Sequence, residues 1–188
     1  MRKNIVDEQT KETYSYGFQL LISTICNIIL ILIVAFCLGI LSESLFFIVS
    51  FVIMRSVGGG YHADTHKGCI ILFCLVFVIF SLLSIYLFYR FASMYMIVGS
   101  IAAFFVIWEI APVEAPNRRL SAAKTERLRN GSLLISSLFT AVAVLSNIVS
   151  FPFLKSEHML FFFSGYLAAI LSMATAAILR KHFIIKRQ

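Results

Sequence analysis

The stretch FQLLISTICNIILILIVAFCLGIL, residues 18–41, contains no charged side chain. A helix needs about 20 mostly apolar residues to cross the ~30 Å hydrocarbon core of a bilayer. In that core every backbone N–H and C=O must be satisfied within the protein, which leaves helices and closed barrels as spanning structures. Comparable apolar blocks run 69–89, 91–111, 132–154 and 159–179, and a shorter one, LFFIVSFVIM, runs 45–54. None shows the strict alternation of a barrel strand, so the blocks read as helices. The chain is 60% hydrophobic and 13% charged, against about a quarter charged in a soluble domain. The fold expected is an all-α integral membrane protein of about six transmembrane helices. It forms a single membrane domain over 1–188, with an interfacial arm at 1–16, a helical bundle at 17–179 and a basic tail at 180–188.

The short second block is ambiguous, because ten residues do not span as a helix. It is either a re-entrant half-helix or a full helix completed by residues 55–57. The distribution of positive charge decides for crossing, since cytoplasmic loops carry the excess of Lys and Arg. With six crossings and a cytoplasmic N-terminus, 14 of the 16 basic residues face inward, and only Arg90 and Lys155 face outward. If the second block did not cross, the basic stretch 111–131 would be outside. Six crossings with both termini cytoplasmic is therefore the expected topology, in the plasma membrane. The second helix is expected to be short and followed by a glycine-rich break. The net charge of +7 is accounted for by these loops and their contact with anionic lipid, so no nucleic acid is expected as a partner.

No cleavable signal peptide is expected, because the first apolar block follows a polar, partly acidic segment without a small-residue cleavage site. Cys26, Cys37, Cys69 and Cys74 lie in or at the edge of apolar blocks, unlike the framework of a secreted disulfide scaffold. Cys26, Cys37 and Cys74 read as small buried apolar residues.

The chemistry concentrates in VGGGYHADTHKGC, residues 57–69. Cys69 opens the third block, and a thiol at a helix N-terminus is pushed towards thiolate by the positive end of the dipole. Lys67 and a nearby histidine act in the same direction. In a continuous helix, seven residues span ~10.5 Å, so His62 could not reach the sulfur, whereas His66 at i−3 would adjoin it. If the chain bends instead, His62 can fold over the cysteine. Gly58, Gly59, Gly60 and Gly68 make such a bend easy, and would let backbone N–H groups approach a substrate carbonyl. These residues alone leave His62 and His66 even as the base. The topology puts 55–68 and 111–131 on the same, cytoplasmic, side, where a site can be assembled from both. A third group to orient the histidine is available in Asp64 or in Glu114. Glu109, a carboxylate inside a block, is also a functional suspect or else a helix-end group paired with Arg118 or Arg119.

Two other readings compete. His62, His66 and Cys69 present the spacing H-x3-H-x2-C, which with Asp64, Glu109 or Glu114 could bind zinc. Against this, three glycines precede the first ligand and no HExxH glutamate separates the histidines, so no metal or other cofactor is expected. A small transporter or peptide exporter could use the glycine stretch as a helix break, but no internal repeat accompanies it.

Arg55, GGGYHA with His62, Cys69 seven residues on, and the loop APVEAPNRRL at 111–120 resemble the accessory gene regulator protein B family, membrane-embedded cysteine endopeptidases of Gram-positive quorum sensing. The size, span number and apolar character fit along the whole chain. The resemblance implies Cys69 as nucleophile and His62 as base, with Arg55, Gly58, Gly59 and Gly60 in the same site; it leaves His66 without a role. It also implies the substrate, a short amphipathic propeptide cut near its C-terminus and closed into a thiolactone or lactone through a thioester. The partners expected are that propeptide, the lipid bilayer and, for so small a membrane enzyme, a second copy of the chain.

Overall fold

A computed structural model of the chain describes residues 8–59, 66–113, 121–148 and 157–185. Within them the fold is helical: α1 Glu8–Leu38, α2 Leu41–Gly58, α3 His66–Tyr86, α4 Ala92–Ile110, α5 Ala122–Ile148 and α6 Glu157–Ile185, with a 3₁₀ turn at Phe88–Phe91 before α4. Four of these are long and apolar enough to cross a membrane, Leu41–Gly58, Tyr89–Ile110, Ala122–Ile148 and Glu157–Leu179; the apolar stretches Thr24–Leu38 and Ile70–Tyr86 are shorter. The chain is a multi-pass membrane protein.

The helices outrun the apolar blocks. α2 takes in Ser42, Glu43 and Ser44 and continues through Arg55 to Gly58, so its 18 residues rise about 27 Å. That is the longer of the two forms expected for the short second block. α5 starts at Ala122, ten residues before its apolar block, and α6 runs on to Ile185. Hydropathy marks what suits the bilayer, whereas helical hydrogen bonding continues through Ala, Lys, Glu and Arg, all good helix formers. The connection from α1 to α2 is tight: Gly39, at φ 71, follows the helix, and the Ile40 N–H donates to the Ala35 carbonyl at 3.0 Å. That is the Schellman pattern, in which a glycine takes the left-handed position just past a helix.

α6 is the axis of the bundle. From Met159 to Ile170 nearly every residue is buried, and α6 lies against α2, α3 and α4. α5 packs on α4 and α2, while α1 packs on α2 and α3 and turns Ile22, Ile25, Ile29, Ile33 and Phe36 outward. Among lipid tails, burying an apolar side chain brings little advantage, so helices associate through small residues and interhelical hydrogen bonds. The described core follows that rule. Nine serines are buried, among them Ser84 and Ser164, whose hydroxyls meet at 2.7 Å, and Ser136, 2.6 Å from the Tyr166 hydroxyl. Others bond a carbonyl one turn back, as Ser100 does to Met96 at 2.6 Å.

Gly165 marks a close approach of α6 to α2. A Cβ there would press on the Phe47 carbonyl and the Ser50 hydroxyl. Helix propensity alone favours Gly165→Ala by about 1 kcal/mol. Packing opposes it, because the obstacle is backbone, and overpacking costs about 1–3 kcal/mol. Gly165→Ala is therefore expected to lower the melting temperature of the purified protein; a melt equal to or above wild type would show that α2 and α6 can move apart freely.

Candidate functional site at the end of helix α2

α2 and α3 run antiparallel and meet along an aromatic ladder. Phe47 lies edge-on to Phe77, with ring centroids 5.2 Å apart, and one turn further Phe51 meets Phe73 at 4.4 Å. Another turn beyond Phe51 stands Arg55. Its Nη1 donates to the Ser172 hydroxyl of α6 at 3.2 Å, and its guanidinium carbon lies 5.6 Å from the Phe51 ring centroid. A cation over an aromatic face is attracted by the ring quadrupole. Arg55 also sits in the last turn of α2, where a positive charge complements the helix dipole.

α2 ends on glycine. The Gly59 N–H closes the helix on the Arg55 carbonyl at 3.1 Å, and Gly59 then takes φ 76 and ψ −151. From there the chain crosses to the segment after α4. The Val113 N–H donates to the Gly58 carbonyl at 3.0 Å, and Gly59 and Val113 form a parallel bridge. The approach requires glycine at 59, where a Cβ would collide with the Val113 carbonyl oxygen; a Cβ on Gly58 would instead lie 2.6 Å from the flexible Met173 thioether. On a third side, Gly131 of α5 is placed so that a Cβ would touch Val57 at 3.6 Å. The end of α2 is thus enclosed by α6, by α5 and by the 111–113 segment. Of the two stretches 55–68 and 111–131, the described parts meet here, at Gly58, Gly59 and Val113.

A family model, Accessory gene regulator B, matches residues 1–179. The chain belongs to the accessory gene regulator B family. Two AgrB-like proteins of Clostridium perfringens are similar to it. AgrB-like protein 2 of strain 13 is 30% identical over 149 residues, 76% of this chain and 70% of that protein. The AgrB-like protein of strain SM101 is 28% identical over the same length and coverage. No solved structure matches. The family takes part in processing the agr quorum-sensing peptide.

Of the residues that sequence reasoning singled out, Arg55, Gly58 and Gly59 stand together at this AgrB junction. α3 begins at His66, which puts the backbone of Cys69 in its first turn. His62, Gly60, Asp64 and Glu114 lie outside the described residues, as do the side chains of His66 and Cys69. Glu109 is exposed in the last turn of α4. Among the described residues no group of His, Cys, Asp and Glu could hold a metal ion; the set His62, His66 and Cys69 falls outside them. Cys26 and Cys37 turn outward rather than inward, Cys74 is half-buried, and all three are free thiols.

Sequence reasoning missed Val113, Ser172, Met173, Phe51 and Gly131. Val113 acts through its backbone, which leaves no trace in residue type. Ser172 and Gly131 are small residues in apolar or polar helices, and only their depth relative to α2 gives them a place. Phe51 had a usable signal: it lies one turn before Arg55, a spacing at which helical side chains are neighbours.

Proposed function

We propose that the protein is a membrane-embedded cysteine endopeptidase that cuts a quorum-sensing propeptide near its C-terminus. The observation that carries this reading is the AgrB family match over 1–179, on a chain with Cys69 in the first turn of α3 and the segment leading to His62 anchored by the Gly59–Val113 bridge. A helix N-terminus lowers a thiol's pKa, and an anchored glycine turn gives the histidine segment a fixed origin.

In this mechanism His62 accepts the Cys69 proton and the thiolate attacks a propeptide carbonyl. The C–N bond breaks, the released amine takes the proton from His62, and a thioester joins the N-terminal fragment to Cys69. A thiol or hydroxyl of that fragment then attacks the thioester, closing a thiolactone or lactone and returning the proton to Cys69. Thioester exchange is nearly balanced, whereas forming a thioester from an amide is uphill, so removal of the C-terminal fragment draws the reaction forward. Water competes with cyclisation, and a site at the membrane edge limits its access. Arg55, Gly58, Gly59, Gly60, Asp64 and Glu114 are the supporting groups. The chain crosses the plasma membrane six times with both termini and the site cytoplasmic, a topology supported by the 14-to-2 distribution of basic residues and by an α2 long enough to span. A second copy of the chain is the partner proposed besides propeptide and lipid.

The test needs no substrate. In lipid-reconstituted protein, alkylation of each cysteine is followed against pH by mass spectrometry. Cys69 is expected to react well below its ordinary pKa of ~8.5, with His62→Ala removing the larger part of the advantage and His66→Ala leaving it. Chelator should change nothing. A Cys69 that becomes reactive only after chelation would replace the dyad by a metal site, and substrate flux without cleavage would replace the peptidase by a transporter.

A further inference from the structure

The α2–α3 ladder has a fixed register. Phe47 pairs with Phe77 and Phe51 with Phe73, so each step of four residues forward on α2 is four residues back on α3. The next rung pairs position 55 with position 69. α2 is helical through Gly58 and α3 from His66, so both positions still lie on regular helix when the rung is reached. The register therefore puts the backbone of Arg55 level with that of Cys69, across the gap that the two ring pairs bridge between α2 and α3, at the end of the bundle where Gly59 meets Val113.

Arg55 is also held on two sides, by α6 and by its own helix one turn back. Ser172 of α6 takes one guanidinium N–H at 3.2 Å, which fixes the edge of the group. Phe51 lies beneath it at 5.6 Å, and is itself buried and packed at a tilt of 41° against Phe73, which fixes the plane. An arginine side chain has large rotamer freedom, and an unheld one spreads its charge over a wide volume. A hydrogen bond and an aromatic platform confine it to one place.

We infer that Arg55 is the electrostatic partner of the Cys69 thiolate and that Ser172 is a positioning residue acting through Arg55. The inference rests on the reading of Cys69 as nucleophile. A guanidinium is charged at every relevant pH, so it stabilises the thiolate that forms as His62 takes the Cys69 proton. Other charges on the same and adjoining elements set the background against which Arg55 acts. His66 and Lys67 stand in the first turn of α3, and His62 and Asp64 precede it in sequence. Glu8, Lys11 and Glu12 open α1, and Arg180, Lys181 and His182 lie near the end of α6.

The experiment reads the pH midpoint of Cys69 alkylation in reconstituted full-length protein carrying Arg55→Gln, Arg55→Lys, Ser172→Ala or Ser172→Thr. Loss of a cation close to a thiolate raises the midpoint by about one pH unit, so Arg55→Gln should do so. Arg55→Lys, which keeps the charge, should recover at least half of that. Ser172→Ala should raise the midpoint in the same direction by a smaller amount, Ser172→Thr should restore it, and Ser172→Ala added to Arg55→Gln should change nothing further. A purely structural role for Ser172 would lower the melting temperature in both backgrounds and leave the midpoint alone. If Arg55→Gln does not fold, the Ser172→Ala and Ser172→Thr pair decides by itself. A midpoint unmoved by both Arg55→Gln and Ser172→Ala overturns the inference. The reading of Cys69 is judged separately, by whether Cys69→Ala still cleaves: cleavage retained defeats that reading, while cleavage lost with unmoved midpoints defeats the Arg55 pairing alone.

Discussion

Cys69→Ala is expected to reduce propeptide cleavage to background, a loss on the order of 10³-fold or more, because removing the nucleophile of a covalent mechanism removes the step itself. The protein should still fold. Position 69 lies in the first turn of α3, and alanine has the higher helix propensity, so the melting temperature should move little. Cys26→Ala, Cys37→Ala and Cys74→Ala serve as controls. The first two residues face outward and the third is half-buried, so all three variants should cleave at close to the wild-type rate. Gel or mass-spectrometric detection of the two fragments gives the rate. Trapping with wild-type protein should add the mass of the N-terminal fragment to the peptide containing Cys69, and to none containing the other cysteines. Fragments appearing at the wild-type rate from Cys69→Ala would end the peptidase reading, whatever the family of the chain.

The bundle was legible because hydropathy is a strong signal in lipid. Residues 18–41, 69–89, 91–111 and 159–179 could be placed without any contact information, and each contains the body of an observed helix. The ends were less legible, since Ala122–Asn130 and Leu41–Ser44 are helical without being apolar. The site was half legible. Glycines, histidines and a cysteine in 57–69 announce chemistry by their type, and Arg55 stands out as a charge beside an apolar block. What holds Arg55, Gly58 and Gly59 carries no such mark. Val113 contributes a backbone N–H, Met173 a flexible thioether against Gly58, and Ser172 one hydroxyl among many serines. Their roles come from the depth at which α6 and the 111–113 segment pass the end of α2, a tertiary quantity. The pairing of positions 55 and 69 is of the same kind. It follows from two aromatic contacts whose partners lie 30 and 22 residues apart in the chain, by subtraction of their numbers.

Gly59→Ala is expected to lower cleavage at least about 100-fold, the scale on which small misplacements of reacting groups act. Two independent costs fall on this one methyl group. At φ 76 and ψ −151 the backbone lies in a region that is essentially glycine's alone, and holding another residue there costs about 1–3 kcal/mol. The methyl would also run into the Val113 carbonyl oxygen, a backbone atom that cannot swing aside as a side chain does. Relief of both requires the chain to leave its path. The Val113 N–H bond to Gly58 and the Gly59 N–H bond to Arg55 then go together, and with them the junction that anchors the segment leading to His62. Two comparisons separate strain from function. Gly39→Ala imposes a similar left-handed strain at φ 71, with nothing within 4 Å of the new methyl and the full length of α2 between it and the junction. It should cost about 1–2 kcal/mol of stability and leave cleavage near wild type. Gly58→Ala meets only the far ends of Met173 and Met54, flexible side chains with three rotatable bonds each, and should lose far less activity than Gly59→Ala. If Gly59→Ala and Gly39→Ala lose stability alike and both still cleave, the bridge is a structural clasp and the site is assembled elsewhere. If only Gly59→Ala loses cleavage, while both variants remain folded at the assay temperature, the path from α2 to Val113 is part of the catalytic apparatus.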